Sequence, residues 1–123
     1  MTDLLVRLET LRRDCEVKML AQAGEASLCQ LHKDGRVSGG LKYLEGRLVA
    51  LSELTRAVKQ PRGDNQLAAA LPPLLDAFHD KWQRQLVQHQ SNRPLSMPWV
   101  AYCQGGLDAI CEIQAWLESA NTQ

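Results

Sequence analysis

Apolar residues recur at steps of three and four along nearly the whole chain, with charged residues on the opposite positions. That spacing places one apolar stripe on each of several helices. Leu4, Leu8, Leu11, Cys15, Met19 and Ala23 predict a first helix over about 3–23, with Asp3 as its N-cap and Gly24 beyond its end. A short helix over 26–33 follows, closed by Gly35. Ser38 caps a second long helix, about 38–60, that carries Leu41, Leu44, Leu48, Leu51, Leu54 and Val58 inward. The run Pro61-Arg-Gly-Asp-Asn65 is the clearest turn in the chain. Pro72-Pro73 is expected to divide what comes next into a short lead-in over 65–71 and a third helix over 73–90, whose stripe is Leu75, Phe78, Trp82 and Leu86. Ser96 and Pro98 open a fourth helix, about 97–119, burying Cys103, Leu107, Ile110 and Leu117. No alternation of period two marks a strand. The expectation is an all-α bundle of four main helices with one or two short extra helical segments, in one domain spanning 1–123.

Two of these helices read as loose copies. Residues 41–60 lie over 100–119 without a gap, with identities at Tyr43/Tyr102, Gly46/Gly105, Leu48/Leu107, Ala50/Ala109 and Glu53/Glu112. The alignment carries a glycine into the middle of each helix, where it costs about 1 kcal/mol relative to alanine. Close backbone packing offsets such a cost. Gly46 with Ala50, and Gly105 with Ala109, set small residues at i and i+4 on one face, the pattern of close helix crossings. The two faces serve either an internal crossing or a dimer two-fold.

Composition narrows the function only a little. Lys plus Arg equals Asp plus Glu at 14 each, so the chain lacks the basic excess of a nucleic-acid binder. Aromatic residues are only 5% of the chain, which leaves the core to aliphatic side chains. No apolar run has the length of a membrane span, and the first nineteen residues lack a signal peptide's apolar segment. The expected location is the cytoplasm, with Cys15, Cys29, Cys103 and Cys111 as thiols.

Candidate chemistry is sparse. Cys29-x-x-His32 has a metal-ligand spacing, but no second paired cluster completes a zinc site. His79 beside the third helix's stripe has the reactivity of a general base without a visible partner. Gly39-Gly40 precedes a helix yet lacks the phosphate-loop pattern. No cofactor is expected, and nothing in the pattern argues for an enzyme. Arg12, Arg13, Arg36, Lys42 and Arg47 would form a nucleic-acid patch if they converged, although acidic neighbours on the first helix favour a solvated, ion-paired face. Trp99 and Trp116 stand near the two ends of the last helix. With Tyr43 and Tyr102 they are the candidates for contact with a partner, since tryptophan is enriched among interface hot spots.

The run Leu41-Lys-Tyr-Leu-Glu-Gly-Arg-Leu-Val-Ala-Leu-Ser-Glu-Leu54 resembles segments of small helical accessory proteins encoded by tailed phages and prophages. In those a charged N-terminal helix is followed by Tyr-x-x-Gly-x-(Leu/Ile)-x-(Ala/Gly)-Leu. The resemblance covers about a third of the chain and carries over no catalytic residue. It implies a short, helical, frequently oligomeric protein with a role between virion assembly and inhibition of host machinery, working in the host cytoplasm. The function expected is that of a non-catalytic interaction module, an adaptor or inhibitor that binds another protein and itself as a homodimer. A nucleic-acid accessory protein and a metal- or small-ligand-binding protein are the alternatives.

Overall fold

The computed structural model describes residues 2–23 and 39–121, and among them it contains four helices and no strand. They are α1 (Thr2–Ala23), α2 (Gly39–Val58), α3 (Asp64–Ser91) and α4 (Met97–Asn121). The molecule is an all-α four-helix bundle. The short helix expected over 26–33 and the Ser38 cap lie outside the described residues.

Each helix buries most of the stripe that its spacing defines, while Met19, Leu48, Phe78, Leu107 and Leu117 are half-buried against the core. Leu4, Leu8, Leu11 and Cys15 face the core from α1, and Leu41, Leu44, Leu51, Leu54 and Val58 from α2. Trp82 joins them from α3, and Ile110 and Ile113 from α4. Asp3 sits inside the first turn of α1 rather than ahead of it, where its charge meets the helix's positive end. Among the described residues the one buried hydroxyl, on Thr55, donates to the Leu51 carbonyl at 2.7 Å and so is not left unpaired.

The topology is two helical hairpins joined through their second helices. α1 packs on α2, α3 packs on α4, and α2 and α4 make the most extensive contact in the molecule. At their crossing, a Cβ on Gly46 would overlap the Tyr102 carbonyl oxygen and lie 2.8 Å from its carbon. A Cβ on Gly105 would meet the Tyr43 carbonyl in the same way, 2.9 Å from its carbon. Residue 46 faces 102 and 105 faces 43, so the helices run in opposite directions. Ala50 and Ala109, one turn along each helix, are fully buried. The repeat in the sequence is thus a pseudo-two-fold in space, with each glycine admitting the other helix's backbone.

The third helix corrects the expected break at the diproline. α3 runs without interruption from Asp64 to Ser91, through Pro72 and Pro73, so the lead-in over 65–71 and the helix over 73–90 are one element. Two prolines remove the amide donors that Ala68 and Ala69 would otherwise use. Both alanines are exposed, and their small side chains crowd neither ring. Leu67, Leu71 and Leu75 are buried on either side of the pair and hold the segment to the core. Tertiary burial here outweighs the local preference of proline. Gly63 provides the N-cap with extended backbone, and its amide donates to Gln66 Oε1 at 3.2 Å.

Candidate interaction surface

The α2–α4 crossing has two unlike flanks, and the residues with chemical character divide between them. One flank is polar. Tyr43 Oη donates to Asp108 Oδ2 at 2.6 Å, and Gln104 Nε2 donates to Asp108 Oδ1 at 2.7 Å. One turn along α2 from Tyr43, Arg47 donates to Glu112 Oε2 at 2.6 Å, while Arg7 of α1 stands 3.7 Å from Glu112 Oε1. Residues 104, 108 and 112 repeat at i+4 along α4, and 43 and 47 do so along α2, so the two rows meet side by side. Burial works against the charge on Arg47, but the hydrogen bond to the Glu112 carboxylate overcomes it and raises its pKa above the ordinary guanidinium value. Tyr43 is likewise held above its ordinary value, by burial first and then by its bond to Asp108. Both residues are locked into the fold.

The other flank is aromatic. Trp82 of α3 is 2% exposed and lies against Gly106, where any Cβ would run into the indole ring. Tyr102 packs on Trp82 with centroids 5.6 Å apart, and Trp99 meets Tyr102 edge-on at 5.2 Å. His89 of α3 stacks on Trp99 at 6.1 Å with planes 16° apart. Lys42 Nζ of α2 sits 4.7 Å from the Trp99 ring centroid and 3.1 Å from Glu45 Oε2. Three helices therefore hold one indole in place. It nevertheless remains 45% exposed, and Leu95 just before α4 and Met97 at its start are exposed as well.

The four contact candidates separate accordingly. Trp99 presents surface, with Tyr102 half-buried behind it. Tyr43 is committed to Asp108, and Trp116 packs against the core near the far end of α4. Three of the basic candidates are engaged in ion pairs. Lys42 and Arg47, with side chains 8% and 15% exposed, are used in internal ion pairs. Arg13 pairs with Glu9 on the outside of α1, and Arg12 is half-buried. Arg36, Cys29 and His32 lie outside the described residues. The exposed cations Arg56, Lys59 and Arg62 gather instead at the α2–α3 turn. Among the described residues no group of three or more His, Cys, Asp or Glu is placed to hold a metal. Cys15, Cys103 and Cys111 are free thiols, and no described helix is long and apolar enough to cross a membrane.

Gly106 and His89 were not apparent as contact residues. The doubled glycine at 105–106 was the available signal: one residue admits α2 and the other admits Trp82. The stacking of His89 on Trp99 depends on how α3 and α4 pack, and no spacing rule conveys it. Comparison with protein-family models, with curated proteins and with solved structures finds no significant match to this chain.

Proposed function

We propose that the protein is a non-catalytic interaction module, an adaptor or inhibitor, that docks through the Trp99 corner, with a second copy of the chain as one occupant. The observation that carries this reading is the combination of exposure and fixation at Trp99. Lys42, His89 and Tyr102 hold an indole that is still 45% exposed. A side chain already immobilised loses little entropy on binding, and a large aromatic supplies the contact area typical of a hot spot. The balanced charge of 14 cations and 14 anions puts no net repulsion between copies. The resemblance of residues 41–54 to phage accessory proteins, which are frequently oligomeric, points the same way.

Sedimentation across a concentration series tests the reading. The wild type is expected to dimerise reversibly, and Trp99→Ala to weaken the dimer by at least about 30-fold, the loss that follows from about 2 kcal/mol at a hot spot. A wild type that stays monomeric throughout, or a variant with an unchanged dimerisation constant, would remove the second copy from this role.

A further inference from the structure

A second recognition feature lies away from the Trp99 corner, between the first half of α3 and the last turns of α4. A cleft of about 320 Å³ opens there, floored by Leu71, Leu75 and Leu117. Its size is at the low end for ligand sites, which run from about 300 to 1,000 Å³, and suits one side chain rather than a helix. Asp76 and Glu118 stand in its lining, and among the described residues no cation does. Gln114 brings the one side-chain amide, whose Nε2 is 3.5 Å from Asp76 Oδ1, a long contact that leaves the carboxylate free to accept more. Ala68 and Pro72 form the wall, and Pro72 has no amide hydrogen to give the Ala68 carbonyl. The cleft is therefore apolar at its base and rich in acceptors around it.

The complement of such a cleft is an apolar stem that ends in a planar cation with several donors. We propose that it binds an arginine side chain presented by a partner protein. The guanidinium forks toward the carboxylates of Asp76 and Glu118, and its stem lies along Leu71, Pro72 and Leu117. Arginine fits better than lysine because its planar head distributes donors to separated acceptors and stacks on flat apolar surface. The continuation of α3 through the diproline acquires a purpose, since the segment ahead of Pro72 supplies the wall. The inference does not rest on the Trp99 reading. Positions 99 and 117 of α4 are about 27 Å apart along the helix.

The test is a titration of the whole chain with N-acetyl-arginine methylamide, followed through backbone amide resonances. Saturable shifts confined to Ala68, Leu71, Asp76, Gln114 and Leu117 are expected, with a dissociation constant on the order of a millimolar. The neutral isostere N-acetyl-citrulline methylamide is expected to bind at least tenfold more weakly. The double variant Asp76→Asn/Glu118→Gln, changed only at exposed positions, is expected to lose the same factor, whereas Trp99→Ala leaves arginine binding unchanged. Absent or unsaturable shifts, an equal response to the citrulline probe, or undiminished binding by the double variant would each overturn the proposal.

Discussion

Arg47 and Gly106 occupy equivalent positions in the two copies of the repeat, and the fold treats them in opposite ways. On α4, Gly106 clears space for the Trp82 indole arriving from α3. On α2, Arg47 reaches across the crossing to Glu112 on α4. The same contrast recurs one turn earlier. Tyr43 gives its hydroxyl to Asp108, while Tyr102 gives its ring to Trp82 and Trp99. The glutamates follow a shared rule, since Glu53 of α2 pairs with Lys81 of α3 at 2.6 Å, and Glu112 of α4 reaches Arg7 of α1. Each spans from its own hairpin to the outer helix of the other. A close crossing needs only the glycines and their alanine neighbours to be alike. The flanks are free to diverge, one into an ion-paired register lock and the other into an aromatic shelf that ends at the surface.

The largest effect is expected where the two copies agree. Gly46→Ala and Gly105→Ala each drive a methyl into backbone of the opposing helix, which no rotamer change relieves. Against a helix-propensity gain of about 1 kcal/mol, the net loss should be about 3 kcal/mol, or roughly 10 °C in Tm by calorimetry. The two losses should be similar, and the double variant should cost less than their sum, because helices already parted accept the second methyl cheaply. Strict additivity would mean that the glycines do not share one crossing.

The polar flank is the next to break. Arg47 is the more desolvated partner of Glu112, with side-chain exposures of 15% and 37%. Glu112→Gln strands the buried guanidinium and should cost about 2 kcal/mol in a denaturant titration. Arg47→Met should cost about 1 kcal/mol, since the carboxylate left behind still has water and Arg7. The double variant should recover part of the loss. If Arg47→Met proved the costlier, the guanidinium would be acting through its packing rather than its charge.

How much of this was legible in the sequence depends on how local each cause is. The helices follow from period alone, because an apolar stripe must be buried wherever it goes. Gly46 and Gly105 were visible because the repeat put an expensive residue in the same place twice. The uninterrupted α3 was not legible. Proline's cost is local, but what outweighs it is burial of Leu67, Leu71 and Leu75 against other helices. Lys42 and Arg47 read as surface charge, since the sequence gives a cation's position on its own helix and not its burial or, for Arg47, the acceptor waiting across the crossing. Trp99 stood out by residue type, while its fixation by Lys42 and His89 needs three helices in place.

The finest distinction between the flanks is between the two tyrosines. At neutral pH, Tyr43→Phe removes a hydrogen bond to a carboxylate and should cost about 1 kcal/mol. Tyr102→Phe keeps the ring contacts and should cost under about 0.5 kcal/mol. Alkaline pH reads them differently. Both hydroxyls are held above the ordinary value of 10.0, each by burial first, then Tyr43 by Asp108 and Tyr102 by the charges of Glu45 and Glu53. As pH rises past 10 the unfolded chain gives up these protons before the folded one, so the folded state binds more protons there. Stability is therefore full below that pH and falls as pH climbs through the raised values. Each phenylalanine variant should flatten part of that fall in denaturation curves taken between about pH 9 and 11, roughly one unit either side of the ordinary value. Similar slopes with unequal losses at pH 7 would fit a polar flank and an aromatic flank built on one repeat. Equal losses at pH 7 would mean that Asp108 contributes nothing special to Tyr43, and the division between the flanks would fail.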